Sequence, residues 1–320
     1  MQTIEKNTEV KREDVKEFYS KAASTLQPSL CCPTNYQAED VSHIPVDVLK
    51  ISYGCGSPVS KASIKEGETV VDLGSGGGID CFIAAKTTGK NGKIIGIDMT
   101  DEMLSQAEKS RKYVEKNLGY SNIEFRKGLL EDIPVDSNSA DVIISNCVIN
   151  LSIIKHKVFE EIYRILKNHG RLVISDIVSD SEVPEEMRSD KKLWGECISG
   201  AETQKNLIET AKTTGFYGIS IGHDYTWKEV NGFKFSSITF RGWKFTKGKE
   251  CVYKGQHAIY KGPFLNVSDD DGHIYPVGEP VEICTDTATK LTRPPYAGSF
   301  IIIDTSKNGD EIIECGPKCC

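Results

Sequence analysis

The sequence has no long uncharged apolar run and no excess of positive charge. Its longest uncharged apolar stretch, Val142 to Ile154, holds two asparagines and two serines and is shorter than the ~20 residues of a membrane-spanning helix. The formal net charge of -7 over 320 residues argues against a protein built to coat nucleic acid or an anionic membrane. Residues 1–20 carry charge throughout and lack the apolar core of a secretory signal. We therefore expect a soluble cytoplasmic protein with no nucleic-acid or membrane partner.

The sequence also lacks a disulfide framework and paired zinc ligands. Eleven cysteines in 320 residues fall well below the ~8–10% of a disulfide scaffold, and their odd number favours reduced thiols in a reducing compartment. The six histidines are scattered and form no ligand pair of the kind that a structural zinc site contains. Two groups of cysteines do cluster, namely Cys31 with Cys32 and Cys315 with Cys319 and Cys320.

Apolar periodicity predicts alternating strands and helices in the middle of the chain. Strands are expected at 69–73, 93–97, 122–125, 141–145 and 171–175. Helices are expected at 101–117, at 155–167 with a stop at 168–170, and at 204–213, with a further strand at 235–245. This alternation indicates an α/β fold, a parallel sheet with helices on both faces.

Composition divides the chain into three expected regions. Residues 1–40 form an N-terminal helical segment, with a helix over 1–27 and the adjacent pair Cys31 and Cys32. Residues 41–247 form the α/β domain. After Lys247 glycine, proline and aspartate become frequent and helical periodicity disappears, so residues 248–320 are expected to form a small β-rich domain with a cysteine-containing tail.

A glycine-rich turn follows the first expected strand at Asp72-Leu73-Gly74-Ser75-Gly76-Gly77-Gly78. A dinucleotide fingerprint would require glycine where Ile79 stands. The pattern D-x-G-x-G-x-G instead resembles motif I of class I S-adenosylmethionine methyltransferases. Asp98 ends the next strand, where a carboxylate can accept two hydrogen bonds from a ribose diol. The candidate cofactor-binding residues are Asp72, Gly74, Ser75, Gly76, Asp98, Met99, Leu130, Glu131 and Asn146.

Three isolated cysteines occupy informative positions. Cys55 lies in a turn before the first strand, Cys147 ends the fourth strand, and Cys197 lies in the segment Trp194-Gly195-Glu196-Cys197. Ligands bind at the carboxyl ends of strands in such sheets, so Cys147 is expected near the mouth of the cofactor site. A lone cysteine is most often a small buried apolar residue. A role as a zinc ligand is the second alternative. Three converging sulfurs would instead suit a thiophilic centre.

Five motifs together resemble the arsenite S-adenosylmethionine methyltransferase family. They are Y-G-C-G at 53–56, D-L-G-S-G-x-G at 72–78, G-I-D-M-T at 96–100, S-N-C-V-I-N-L at 145–151 and W-G-E-C-x-x-G-A at 194–201. The resemblance is strong over residues 31–245 and loose beyond, and it implies a class I methyltransferase Rossmann-like doubly wound sheet. It also implies that the thiolates of Cys55, Cys147 and Cys197 hold trivalent arsenic. A further upstream cysteine is expected to form a disulfide during turnover, with Cys32 preferred over Cys31.

The family resemblance implies methylation of arsenite and methylarsenite with S-adenosylmethionine, for arsenic detoxification. Thiol-bound arsenic keeps a lone pair, so the reaction needs no general base. A thiol reductant, glutathione or thioredoxin, is the expected electron source, arsenicals are expected to arrive as thiol conjugates, and the protein is expected to be a monomer. Tyr53 and Trp194 are candidates for stacking near the sulfonium, and Cys319 and Cys320 match a cysteine pair with which family members often end.

Two other functions remain open from the residues alone. One is a class I methyltransferase acting on a carbon or oxygen nucleophile, such as a quinone or sterol, which leaves the three cysteines unused. The other is a thiol-based metalloid sensor or sequestering protein, which leaves Asp72 and Asp98 unused.

Overall fold

The computed structural model describes residues 10–23, 27, 30, 36–50, 53–248, 251–303 and 313–314. The chain divides into two compact units, residues 1–215 with 219–242 and residues 216–218 with 243–320. The helices are α1 Arg12–Ala22, α2 Ala38–Val41, α3 Val46–Lys50, α4 Pro58–Lys61, α5 Ile79–Thr88, α6 Asp101–Leu118, α7 Lys155–Ile165, α8 Glu185–Arg188, α9 Lys191–Gly195, α10 Gln204–Thr214 and α11 Thr285–Leu291. The strands are β1 Thr69–Leu73, β2 Lys93–Asp98, β3 Ile123–Lys127, β4 Ala140–Asn146, β5 Leu166–Ser179, β6 Glu202–Thr203, β7 Phe216–Val230, β8 Phe233–Lys244, β9 Val252–Tyr253, β10 His257–Tyr260, β11 Asn266–Ser268, β12 Ile274–Pro276, β13 Pro280–Glu282, β14 Phe300–Ile303 and β15 Ile313–Glu314.

The first unit is built on an eight-stranded sheet. Its strand order is β3-β2-β1-β4-β5-β8-β7, with β6 paired to β5. Strands β3, β2, β1, β4 and β5 run parallel, with Val71 opposite both Ile95 and Ile143. These strands are nearly continuous apolar runs because helices cover both of their faces. The predicted α/β fold class is confirmed, and the reversal of strand order beside β1 marks where such sheets bind ligands.

The helices of this unit follow the apolar patterns of their sequences. Helix α7 buries Val158, Phe159, Ile162 and Ile165 along one side, as the spacing of three and four residues requires. The N-cap of helix α10 is Thr203, whose side chain accepts a hydrogen bond from the Asn206 backbone. The helix ends before Gly215, which has a left-handed backbone conformation.

One predicted boundary is wrong. The helix expected at 155–167 ends at Ile165, and residues 168–170, expected as its stop, lie within β5. The pairing of β4 with β5 aligns Ala140 with Leu166 and Val142 with Arg171, so residues 167–170 form a bulge. Strand pairing here overrides the local helical pattern.

Strands β7 and β8 form a long hairpin beside β5. Only β8 was expected from the sequence, at 235–245, and it spans Phe233–Lys244. The two strands are joined by Asn231 and Gly232, both with positive φ, which is the preferred chemistry of a two-residue hairpin turn. This Asn-Gly pair was a sequence signal for β7 that the periodicity analysis missed.

The second unit is rich in short strands. It contains a sheet of order β13-β10-β14 and the pairs β11-β12 and β15-β9, around a core that includes Tyr260, Tyr275 and Leu291. The expectation that helical structure ends after Lys247 is wrong for α11. The N-cap of that helix is Cys284, whose sulfur accepts a hydrogen bond from the Thr287 backbone at 3.4 Å.

Of the helix expected over 1–27, the structure has only α1, since residues 10, 11, 23 and 27 are not helical and residues 1–9 and 24–26 lie outside the described residues. Across the described part of the chain, every helix is too short or too polar to span a membrane.

Candidate active site: a cleft beside a cysteine cluster

A cleft that is partly open to solvent lies at the carboxyl ends of β1, β2 and β4. Its walls include the side chains Arg12, Val15 and Tyr19 of α1, which sequence reasoning did not identify. All nine predicted cofactor-binding residues line this cleft: Asp72, Gly74, Ser75, Gly76, Asp98, Met99, Leu130, Glu131 and Asn146. The parallel sheet brings them together because every strand in the set ends at the same edge.

The glycine turn takes a backbone path that side chains disfavour. Gly74, Gly76 and Gly78 have φ values of 70°, 51° and 90°, in the region where L-residues are strained. The amides of Gly74 and Ser75 both donate to the Ile97 carbonyl, at 2.8 and 2.9 Å. The turn is therefore tied to the end of β2, and the helix α5 starts directly after it.

We expect Gly74→Ala to lower the free energy of unfolding by ~2–4 kcal/mol, from the left-handed backbone and the overpacking it creates. A Cβ at Gly74 would lie 2.4 Å from both γ carbons of Val148. Gly77→Ala is the matched control, because its Cβ would meet only Gln106, at 4.0 Å, and its φ is not positive. Denaturant unfolding of the two variants without added ligand measures the difference. Equal stabilities would contradict the assigned backbone path.

Asp98 joins the turn to the next loop. Its Oδ2 accepts from the Gly76 amide at 2.9 Å and its Oδ1 accepts from the Thr100 amide at 2.8 Å. Burial raises the pKa of this carboxyl, while the backbone hydrogen bonds oppose that shift. Each carboxylate oxygen retains acceptor capacity for a ligand in the cleft.

Asn146 is hydrogen-bonded to one of two neighbouring buried aspartates. The Asn146 carboxamide donates to Asp80 Oδ2 at 3.1 Å, and Tyr36 donates to the other Asp80 oxygen at 3.1 Å. Burial raises the pKa of Asp80 to about 6. Burial and the nearby Asp80 charge raise the pKa of Asp72, whose Oδ2 accepts from the Cys81 thiol at 3.2 Å. Asp80 lines the cleft and was missed, because one aspartate in a helical first turn carries no distinctive pattern.

Glu131 is fixed at the rim of the cleft. The Ser152 hydroxyl donates to its Oε1 at 2.5 Å, and Arg12 lies 3.4 Å from its Oε2. Neither partner was identified from sequence, since both come from segments distant along the chain.

The cysteines gather at the same end of the sheet. Cys55 and Cys147 form a disulfide with a Cα–Cα distance of 5.8 Å, and the Cys197 thiol donates to the Cys147 carbonyl at 2.9 Å. Cys147 and Cys197 line the cleft, whereas Cys55 is only 1% exposed and is not among the described lining residues. The three residues thus converge although up to 142 positions separate them in sequence (197 − 55 = 142).

Two of these cysteines hold a strained backbone. Cys147 has a φ of 57° and Cys197 a φ of 61°, a conformation uncommon for non-glycine residues and concentrated at functional sites. This backbone feature points independently to the same two residues that line the cleft.

One disulfide joins two of the three cysteines, since the partner of Cys55 in this structure is Cys147. The redox disulfide with Cys31 or Cys32 that the family resemblance implied stays a prediction. Five cysteines, namely Cys31, Cys32, Cys315, Cys319 and Cys320, lie outside the described residues. Cys251, for which sequence reasoning found no motif, is disulfide-bonded.

A buried aspartate lies beside the disulfide. A carboxylate oxygen of Asp176 and the sulfurs of Cys55 and Cys147 all lie within 4.8 Å of one another. Asp176 accepts hydrogen bonds from the Asn150 carboxamide at 2.9 Å and the Ile177 amide at 2.8 Å. Burial raises the pKa of Asp176 to about 7. Sequence reasoning missed this residue because it lies inside β5, where an acid has no motif around it.

The two predicted aromatic residues have different surroundings. Tyr53 lines the cleft and its hydroxyl donates to the Ala22 carbonyl at 3.0 Å. Trp194 packs with Val10 and Val15 and donates to the Leu151 carbonyl at 3.1 Å. Trp227 of β7, which was not predicted, also lines the cleft.

The comparisons with known proteins agree with this geometry. Residues 64–215 match the model of a methyltransferase domain, and residues 247–318 match a domain of unknown function. Fold, cleft and match define a class I S-adenosylmethionine-dependent methyltransferase. An arsenite methyltransferase of Aquipseudomonas alcaligenes is 33% identical over 95% of this chain and 94% of its own length, and one of Mus musculus is 33% identical over 90% and 82%. The chain belongs to the arsenite methyltransferase family.

A solved structure supports the same assignment. The crystal structure of an arsenic(III) S-adenosylmethionine methyltransferase from Chlamydomonas reinhardtii has a TM-score of 0.64 and 32% identity, covering 85% of this chain and 97% of that one. The predicted family is therefore confirmed.

The residues of the cleft fit S-adenosylmethionine. The Ser75 hydroxyl is buried and, within the described residues, has no hydrogen-bond partner, so it is available to a polar ligand. The glycines of the turn carry no side chain and let the backbone approach a ligand closely, and Asp98 offers acceptors for a diol. Asp98, Ser75 and the glycine turn are the residues that would hold the cofactor.

We expect Asp98→Ala to weaken S-adenosylmethionine binding ~10- to 100-fold, because charge-assisted hydrogen bonds contribute ~1.5–3 kcal/mol. Isothermal calorimetry measures the affinity, with the exposed Asp136 replaced by alanine as a control. Unchanged affinity in a folded Asp98→Ala protein would show that the cofactor site is misassigned.

Proposed function

We propose that this protein transfers methyl groups from S-adenosylmethionine to trivalent arsenic bound by cysteine sulfur. The observation that carries the proposal is the convergence of Cys55, Cys147 and Cys197 beside the cleft, two of them in its lining. Membership of the arsenite methyltransferase family supports the same substrate. Three soft sulfur ligands suit arsenic. The same three sulfurs would have no evident role in methylation of a carbon or oxygen nucleophile.

The proposed site works mainly by positioning. Cys147 and Cys197, held on strained backbone at the cleft mouth, bind arsenic next to the cofactor residues, and Cys55 supplies a third sulfur. When bound, the cofactor would supply an electrophilic methyl group, to which the arsenic lone pair would donate while S-adenosylhomocysteine leaves with the electrons of the broken S–C bond. The protein's own contribution is to hold the substrate at near-attack distance and to limit the access of water.

In the proposed cycle the cysteines also supply electrons. Methyl transfer formally oxidises arsenic from the trivalent to the pentavalent state. Returning it to the trivalent state takes two electrons, which two thiols supply when they form one disulfide and release two protons. The Cys55–Cys147 disulfide leaves neither of its sulfurs able to bind arsenic. We therefore propose that glutathione or thioredoxin must reduce this bond before substrate binds.

We further propose, from the sequence, that the protein is a cytoplasmic monomer and that it receives arsenicals as thiol conjugates. We also propose that Cys32 takes part in the redox cycle. The residues proposed to hold the cofactor and the arsenic all lie within the region predicted as residues 41–247.

The decisive experiment is mass analysis of products from arsenite, S-adenosylmethionine and glutathione. We expect methylated arsenic with the thiol present and at least ~100-fold less without it, since the disulfide blocks two of three ligands. Cofactor binding without any methylated arsenical would contradict the proposed substrate and favour another methyl acceptor. Arsenite binding without S-adenosylmethionine affinity would favour a metalloid-binding protein.

A further inference from the structure

The peptide groups around Cys55 are held by side chains from three strands. The Cys55 amide donates to Asn146 Oδ1 at 3.1 Å, and the Gly56 carbonyl accepts from Asn146 Nδ2 at 2.8 Å. The Cys55 carbonyl accepts from the Ser237 hydroxyl at 2.6 Å and the Tyr225 hydroxyl at 3.0 Å. A carbonyl oxygen has two lone pairs, so these two donors use its full acceptor capacity.

The two hydroxyls come from residues that do not line the cofactor cleft. Tyr225 lies on β7 and Ser237 on β8, at sequence separations of 170 and 182 from Cys55. Ser237 is fully buried. Neither residue is among the described residues that line the cleft.

The Cys55–Gly56 segment is also closely packed. Gly56 lies so close to Ser175 that a Cβ would be 2.7 Å from its Cβ and Oγ. The Cys55 side chain is buried in an apolar cluster that includes Phe235 and Ile177. Hydrogen bonds to its amide and its carbonyl and the close packing of the next residue therefore hold the Cys55 backbone in place, with its sulfur bonded to that of Cys147.

We propose that Tyr225 and Ser237 are positioning residues for the Cys55 thiol. By fixing the Cys55 carbonyl they hold its sulfur beside that of Cys147, which favours the disulfide and the sharing of one arsenite between the two sulfurs. The part concerning the disulfide stands on the structure alone, and the part concerning arsenite rests on the proposed function. The β7–β8 hairpin thus acts on the site through the backbone of one cysteine.

The test uses the full chain with Tyr225→Phe, Ser237→Ala and the double variant. Tyr120→Phe and Ser42→Ala are matched controls, because their hydroxyls donate to the carbonyls of Ala85 and Glu39, at 3.2 and 3.1 Å. Each single variant leaves one donor on the Cys55 carbonyl, so the singles decide the question if the double variant does not fold.

The first measurement is the thiol–disulfide equilibrium of Cys55 and Cys147 in glutathione buffers. In this reaction oxidised glutathione takes two electrons from the two thiols and leaves as two reduced molecules. Peptide-resolved alkylation quantifies the disulfide. We expect the equilibrium constant for its formation to fall about ten-fold in the double variant, about 30 mV for a two-electron couple, and to stay unchanged in the controls. A constant within two-fold of wild type would overturn the proposal.

The second measurement compares initial rates on arsenite and on methylarsenite under excess thiol. We expect the double variant to lose about ten-fold more activity on arsenite, since only arsenite has three valences for sulfur. Equal loss on both substrates with an unchanged disulfide equilibrium would indicate a purely structural role and overturn the proposal. If the wild-type protein methylates neither arsenical, the proposed function fails while the glutathione titration still decides the role of the hydroxyls.

Discussion

Replacing either Cys147 or Cys197 by serine is expected to abolish methyl transfer to both arsenite and methylarsenite. Both residues line the cleft, and the Cys197 thiol donates to the Cys147 carbonyl. A serine hydroxyl is hard and protonated at neutral pH, so it cannot replace a thiolate as an arsenic ligand. We expect at least a ~100-fold loss, because even residues that only support a metal ligand are worth ~10–100-fold.

The measurement is the initial rate with pre-reduced trivalent substrate and excess thiol. Cys284→Ser provides a control for loss of a buried cysteine. Cys284 is the N-cap of α11 and its sulfur accepts a hydrogen bond from the Thr287 backbone, a role that a serine hydroxyl fills well. Full activity in Cys147→Ser or in Cys197→Ser would remove that residue from the proposed site.

The second large effect is a difference between two substrates. Cys55→Ser should lose activity on arsenite and retain some activity on methylarsenite. Inorganic arsenic has three valences for sulfur, whereas methylarsenite has one valence filled by carbon and needs only two thiolates. Cys147 and Cys197 can provide those two, and without Cys55 the Cys147 thiol cannot be trapped in the observed disulfide.

The comparison requires a single turnover in excess thiol, so that recycling of the enzyme does not limit the rate. The wild-type protein and Cys284→Ser give the reference ratio of the two rates. If Cys55→Ser loses both activities to the same extent, Cys55 is an indispensable ligand or a structural residue, and the proposed division between the sulfurs is wrong.

Much of the fold follows from local pattern. The starts of the parallel strands β1 to β4 were predicted to within one residue, because strands buried on both faces are short continuous apolar runs. The boundary between α7 and β5 could not be predicted, because the pairing of Leu166 with Ala140 outweighs the helical pattern that continues through it. Strand β7 was missed because it alternates weakly in polarity, although Asn231 and Gly232 marked its turn.

The sequence by itself identified the glycine turn and the acid at the end of the next strand. These are local features, since glycine permits the positive φ found at Gly74, Gly76 and Gly78. Only the tertiary structure decided how the cysteines meet. The pairing of Cys55 with Cys147 across 92 residues, and the support from Tyr225 and Ser237, depend on which strands become neighbours in the sheet. Side-chain pattern encodes local conformation directly, but contacts between distant residues arise only when packing brings the strands together.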